Sequence, residues 1–316
     1  MAMTQMKSIV AAISLAHQEN GGYTEATNTL LNMAPVLARK LNADLTFVNV
    51  FEPTQAPPWG EIPMPDKIKI SRSNLDKALR IGKEYALDKY RQEIAGLVKQ
   101  HSTQNITGVV LEAKDAAEGI ISEAIVLKSD LVITGTSRPS YKYIYSGFST
   151  SLSLMSSSPA PVLVMPEEAS IDWNQEGLKI LVADDLRSDS IGVMGFAANL
   201  AMHFNRSVVQ HIHVIENSPQ ALGLDLADDE VRNLCEQELH RRSQDFISLS
   251  HNTVEYKAQA IFGQVDAGIE RIIEDQRPDL IVFGRHRMIK VRPLMIGRMT
   301  SRALLDLKRP VIVVPG

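Results

Sequence analysis

Two stretches of this chain say the same thing 149 positions apart. Asp130-Leu131-Val132-Ile133-Thr134-Gly135-Thr136 returns as Asp279-Leu280-Ile281-Val282-Phe283-Gly284-Arg285, and Pro161-Val162-Leu163-Val164-Met165-Pro166 returns as Pro310-Val311-Ile312-Val313-Val314-Pro315. A repeat of that length is a whole domain written twice, so the chain is expected to fold as two similar units, 1–166 and 178–316. What it does must then be read by comparing what each copy has kept.

Composition narrows the class. An apolar share of 44% is enough for each half to bury a core. Residues 1–170 carry 16 basic and 17 acidic side chains and the remainder 17 and 20, so neither half has the basic surplus of a nucleic-acid binder. A single cysteine excludes an internal disulfide framework and points to a reducing, cytoplasmic setting. The run Ser8–Ala16 after Lys7 faintly resembles an export signal. It returns as Ile180-Leu181-Val182-Ala183 inside the chain, where no such signal works, so it reads as a buried strand. No segment reaches the roughly 20 apolar residues of a membrane span.

Each half alternates strand and helix patterns, the mark of a mostly parallel sheet covered on both faces. Strands are expected near 8–13, 44–50, 108–112, 130–134 and 161–165, then near 179–184, 207–215, 254–260, 279–283 and 310–314. Leu30, Met33, Ala34, Leu37, Ala38 and Leu41 share one helical face, with Pro35 predicting a kink or a late start. Ile120, Ala124 and Leu127 do the same in the first copy, and Ile269, Ile272 and Ile273 in the second. Cys235 falls with Val231, Leu234 and Leu239 on one helical face and reads as core. The offset is 171 at the first strand and 149 by the third. Most of the surplus is assigned to the proline-rich stretch 51–70, an extended loop with a lid as the alternative. Residues 166–177 read as the linker.

The opening strand, the Asp-Leu-Ile-Val-x-Gly strand and the closing Pro-Val-x-Val strand, each present twice, resemble the universal stress protein domain in tandem. The resemblance covers nearly the whole chain. It implies an α/β fold of two domains, each a five-stranded parallel sheet of order 3-2-1-4-5 with helices on both faces, adenine nucleotide alpha hydrolase-like. It also implies pairing of the copies through their last strands, Val162–Met165 against Val311–Val314. Nucleotide-binding members of the family hold ATP outside the carboxyl ends of the strands. They use an Asp closing the first strand and a Gly-x2-Gly-x9-Gly-Ser/Thr loop after the fourth. Such glycines let main-chain N–H groups approach phosphate.

The first copy departs from that pattern widely. Ser14 holds the Asp position, Lys114 stands where a Gly is common, Arg138 replaces the second glycine, and Gly147 comes one residue early, before Phe148. The second copy is closer, with Asp185, Gly263, Gly284 and Gly297 in place. Arg287 nevertheless occupies the second glycine position and Arg298 the hydroxyl position. ATP or AMP is therefore expected, if anywhere, in the second copy, while its retained glycines serve turn geometry on the other reading.

Other candidates are weighed beside these. The basic run Arg285, His286, Arg287, Lys290, Arg292, Arg298 and Arg302 offers guanidinium groups to an anionic ligand, or is a solvated loop paired with acidic neighbours of the other domain. His211 and His213 share a strand face, and packing is favoured over metal binding for want of a third ligand. Of the adjacent Asp184 and Asp185, at most one reaches the pocket. The hydroxyl- and aromatic-rich stretch 140–151 either fills the first pocket or shapes it for an apolar ligand. No catalytic constellation appears and no metal or cofactor is required. The expectation is a non-catalytic stress-response protein, ligand-sensing or scaffold. An ATP-binding switch run from the second copy and a protein-binding adaptor are the alternatives. Expected partners are a small anionic or apolar ligand, other proteins, or a second copy of the chain.

Overall fold

The computed structural model describes residues 6–15, 22–52, 72–101, 105–136, 150–167, 169, 171–187, 191–219, 226–249, 253–285 and 309–316. In the first copy the strands are β1 (Ser8–Ala12), β2 (Asp44–Phe51), β3 (Ile106–Glu112), β4 (Leu131–Thr136) and β5 (Val162–Pro166). The helices are α1 (Glu25–Leu41), α2 (Arg72–Gln100), α3 (Ala116–Val126) and α4 (Thr150–Ser157). The second copy supplies β6 (Lys179–Ala183), β7 (Ser207–Ile215), β8 (Val254–Phe262), β9 (Leu280–Arg285) and β10 (Val311–Pro315). Its helices are α5 (Ile191–Met202), α6 (Asp228–Leu249) and α7 (Val265–Gln276).

The continuous apolar runs are strands buried on both faces, as expected of a parallel sheet. Alternate residues feed opposite cores. Ile9, Leu163, Ile312 and Val314 pack with α1, α5 and part of α2. Val10, Val162, Val164 and Val313 pack with α3, α4 and α7. Within each copy the pairing order is 3-2-1-4-5 and every pair is parallel. The two copies then join through β5 and β10, antiparallel, with Val311 opposite Val164, Ile312 opposite Leu163 and Val313 opposite Val162. The result is one ten-stranded sheet. Pairing the last strands removes two open edges that would otherwise present unpaired N–H and C=O groups.

Several local expectations are refined. Helix α1 begins at Glu25, well before Pro35, because Thr24 caps it by accepting the Thr27 N–H at 3.2 Å and its apolar stripe is buried. The surplus of the first copy is spread rather than concentrated. Part lies between β1 and β2, and part in α2, which has 29 residues against 22 in α6. The connection before α2 (52–71, against 216–227) is longer as well, but 53–71, nearly all of the proline-rich stretch, lies outside the described residues. On α6, Leu239 is fully buried, whereas Leu234 is 58% exposed and Cys235 only half-buried. The proposed apolar face there is narrower than its spacing implied. Burial, with Glu236 nearby, raises the Cys235 thiol above its usual range. The linker is anchored rather than loose. Trp173 is buried with its ring centroid 6.0 Å from that of Phe204, and the Lys40 ammonium of α1 lies 4.9 Å over the same Phe204 ring.

Candidate functional site

Because the strands within each copy are parallel, their carboxyl ends converge on one rim. In the second copy the chain leaves β6 through two aspartates that part company at once. Asp184 turns inward and is 5% exposed. Its Oδ1 accepts the Leu186 N–H at 2.7 Å, and its Oδ2 lies 3.0 Å from His211 Nε2. Arg242 of α6 brings Nη1 within 3.4 and 3.5 Å of the same carboxylate. The other ring nitrogen of His211 is 2.9 Å from the Tyr256 hydroxyl, which donates to the Leu239 carbonyl at 3.0 Å. Burial pushes that hydroxyl up to about 12; a hydrogen bond from Ser243 opposes this and the Asp184 charge adds to it.

This network holds the turn that carries Asp185. Leu186 has φ 62°, a left-handed conformation costing a branched side chain about 1–2 kcal/mol. Asp184 takes its N–H while Arg242 donates to its carbonyl and, at 2.8 Å, to that of Arg187. Arg242 is in turn oriented by Glu238, whose Oε1 accepts from Nε at 2.9 Å. Hydrogen bonds from Arg241 and then Arg242 hold the Glu238 carboxyl down at about 2.

Asp185 itself points to the rim and is one-third exposed. Its Oδ1 accepts the Arg187 N–H at 3.1 Å, and Oδ2 lies 3.3 Å from Arg187 Nε. Gly263 follows β8 with φ 147°, and among the described residues, its chain neighbours aside, no atom lies within 4 Å of where a Cβ would stand. The next residue, Gln264, is the N-cap of α7 and makes no side-chain capping bond. Gly284 sits near the end of β9, opposite Val314. The structure thus brings Asp185, Gly263 and Gly284 to the ends of three strands on the same rim. Arg287, Gly297 and Arg298 lie outside the described residues.

On the same rim of the first copy, the described residues at the matching places are apolar or bonded to one another. Where Asp184 and His211 stand, the strand register places Ile13 and Phe47, 5% and 0% exposed. Ser14, at the Asp185 position, exchanges hydrogen bonds with Thr27: its N–H meets Thr27 Oγ1 at 3.4 Å and its carbonyl accepts from that hydroxyl at 3.1 Å. The N-terminus of α3 is taken twice, by Asp115, which accepts the Glu118 N–H at 3.0 Å, and by Glu52, which accepts the Ala116 N–H at 2.8 Å. Gly135 is explained by packing rather than turn geometry, since a Cβ there would come within 2.9 Å of the Ala26 methyl and 3.2 Å of its carbonyl. Arg138, Gly147 and Phe148, with most of 140–151, are outside the described residues.

One equivalence is corrected. The Gly263 N–H donates to Ile215 O at 3.1 Å just as Ala113 N–H donates to Phe51 O at 3.2 Å. Ala113 is therefore the ladder counterpart of Gly263, and Lys114 is an additional residue before the α3 N-cap. The two histidines have clear partners. His213 Nδ1 lies 2.8 Å from the Asp184 carbonyl, the role that Asn49 plays toward Ile13 at 3.2 Å in the first copy. Of the basic run only Arg285 is described. Its Nη1 donates to the carbonyls of Met155, at 3.1 Å, and Ser158, at 2.8 Å, at the carboxyl end of α4 in the other copy. Those carbonyls carry the negative end of the helix dipole.

The buried Asp184–His211–Tyr256 network was not anticipated by pattern reading, although a signal existed. At the two leading positions the first copy is apolar and the second is not.

The chain matches the model of the universal stress protein family twice, over residues 15–166 and 178–315. Among solved structures it is similar to a universal stress protein from Archaeoglobus fulgidus, at 17% identity and a TM-score of 0.62, covering 97% of this chain and 96% of that one. It is also similar to a putative universal stress protein from Pseudomonas aeruginosa, at 16% identity and a TM-score of 0.57, covering 99% and 95%. At such identities the likeness speaks for the fold. No curated protein matches the chain. No helix among the described residues is long and apolar enough to cross a membrane.

Proposed function

The chain belongs to the universal stress protein family, and from that premise we propose that it is a non-catalytic, ligand-sensing or scaffold member. On this reading its nucleotide site is degraded in the first domain (1–166) and only partly so in the second (178–316). One contrast carries the reading. In the first copy, carboxylates of the chain itself occupy the helix N–H groups that would face an anion. In the second, the uncapped start of α7 and the open Gly263 lie on the same rim as Asp185. Helix N-termini and bare glycine backbone suit negative charge. The ligand is accordingly a small anion, with AMP and ATP the natural probes, met by Asp185, Gly263, Gly284, Arg287, Gly297 and Arg298. The protein works in the cytoplasm and needs no cofactor to fold.

Thermal-shift titration with AMP and Mg-ATP tests this. A ligand at 100 times its Kd stabilises the folded state by about 2.7 kcal/mol. For a domain of this size, at about 2–4 °C per kcal/mol, that is roughly 5–11 °C in Tm. The expected result is a saturable rise, lost in Asp185→Ala and kept in Ser14→Ala, without ATP turnover. A rise lost only in Ser14→Ala would place the site in the wrong copy. Steady ATP hydrolysis abolished by Asp185→Ala would replace the sensor reading with that of a switch.

A further inference from the structure

A second site of opposite electrical preference lies against α1 and the linker. Between α1 and the linker is a cleft of about 400 Å³. Met33 and Val36 of α1, Met165 of β5 and Trp173 of the linker give it an apolar wall, and Glu167 and Asp172 add two carboxyl groups. Among the described residues no Lys, Arg or His lines it. We propose that this cleft binds a small organic cation: an ammonium group on an apolar body that also carries an acceptor oxygen.

Each part of that description answers a feature of the cleft. The volume suits a molecule of about a dozen heavy atoms, within the usual range of small-ligand pockets, about 300–1,000 Å³. The wall accepts an aliphatic or aromatic body. Asp172 spends only Oδ1 internally, on the Asn174 N–H at 2.9 Å, which leaves Oδ2 to a ligand. Nothing among the described residues donates to the Glu167 carboxylate, and no basic residue among those described lines the cleft. An ammonium ion gains charge-assisted hydrogen bonds from such carboxylates. Trp173 is 2% exposed, and its indole N–H is the one fully buried side-chain donor among the described residues without an acceptor. An acceptor oxygen on the ligand matches that need.

The cleft touches α1, the seam strand β5 and the linker at once. It shares no residue with the rim of the second copy.

The test uses the full chain with Trp59→Phe, which leaves Trp173 as the single tryptophan and makes its fluorescence a local reporter. Phenylalaninamide is titrated at pH 6, where an α-amino group of pKa near 8 is charged, beside 3-phenylpropanamide, which lacks the amine. The expected result is saturable binding of the amine, at least tenfold tighter than the neutral analogue. Glu167→Gln and Asp172→Asn should each weaken it by at least about tenfold, the scale of one hydrogen bond to a charged group. Asn at 172 keeps an acceptor for the Asn174 N–H, so the turn and the Tm should hold. Equal binding of the two probes, no saturation at millimolar amine, or an unchanged affinity in the double variant would each overturn the proposal. Displacement of the amine by AMP would do so too, by merging this site with the rim of the second copy.

Discussion

Ile13 and Phe47 in the first copy, and Asp184 and His211 in the second, occupy the same two places in the same fold. One pair is buried hydrocarbon. The other is a buried carboxylate and imidazole, reached by an arginine from α6 and a tyrosine from β8. Both solutions hold the first strand to the second, and both leave the following residue, Ser14 or Asp185, at the rim. The difference lies in what happens next. Among the described residues, the apolar version ties that turn to Asn49 and Thr27. The polar version grips it, with Asp184 and Arg242 taking both polar groups of a strained Leu186. A duplicated scaffold can thus keep its packing while one copy fills these two places with hydrocarbon and the other with a hydrogen-bonded network.

The largest effect expected from breaking this comparison is at Asp184. Asp184→Ala strands Arg242 and His211 in the interior and should cost about 3–5 kcal/mol in urea unfolding, the range for breaking a buried pair on one side. Rebuilding the apolar version, with Asp184→Ile, His211→Phe and Arg242→Met together, should recover most of that loss. A triple variant no more stable than the single one would show that the network does more than substitute for packing.

Next is Arg285. Its two bonds to helix-terminal carbonyls across the seam are worth about 1.5–3 kcal/mol in total, at the scale of a hydrogen bond to a charged group. Arg285→Ala should lower Tm and speed amide exchange in the last turn of α4, whereas Thr136→Ala, at the same place in the first copy, should lower Tm much less. Equal exchange in α4 before and after the change would remove the seam role. The capping contrast is smaller. Glu52→Ala should cost about 1 kcal/mol, as loss of an N-cap acceptor does, and loosen the first turn of α3. Glu216→Ala, its counterpart, should be neutral in the same exchange measurement.

The smallest effect is at alkaline pH. The Tyr256 hydroxyl is raised from 10 to about 12, so it favours the folded state fully below pH 10 and loses that contribution as pH rises through 12. Tyr23 of the first copy is raised too, by burial and by its bond to Glu93. Tyr256→Phe should therefore flatten only part of the fall in Tm between pH 10 and 12. An unchanged slope would mean that Tyr256 does not contribute to it.

Much of this could be read along the chain. The strands stand within about two residues of where the apolar runs place them, since a parallel sheet buried on both faces demands uninterrupted Val, Ile and Leu. Ser14 and Asp185 fall at the ends of their strands for the same reason. Leu234 defeated its helical spacing because the turn of α6 it occupies projects into solvent, which periodicity alone does not report. Lys114 looked like a replacement for Gly263 because an offset counted along the chain cannot see that one residue was added between strand and helix. The hydrogen-bond ladder, which counts by pairing, does see it.

The linear order of residues was enough for the duplication, for the α/β class and for the rim on which a ligand would sit, because periodic burial and strand-end chemistry are local. Tertiary structure alone decided that Arg285 serves the opposite copy, which of Asp184 and Asp185 faces inward, and that the linker borders a cleft. Those outcomes depend on which side chains meet from distant parts of the chain, and burial makes each meeting either satisfied or costly.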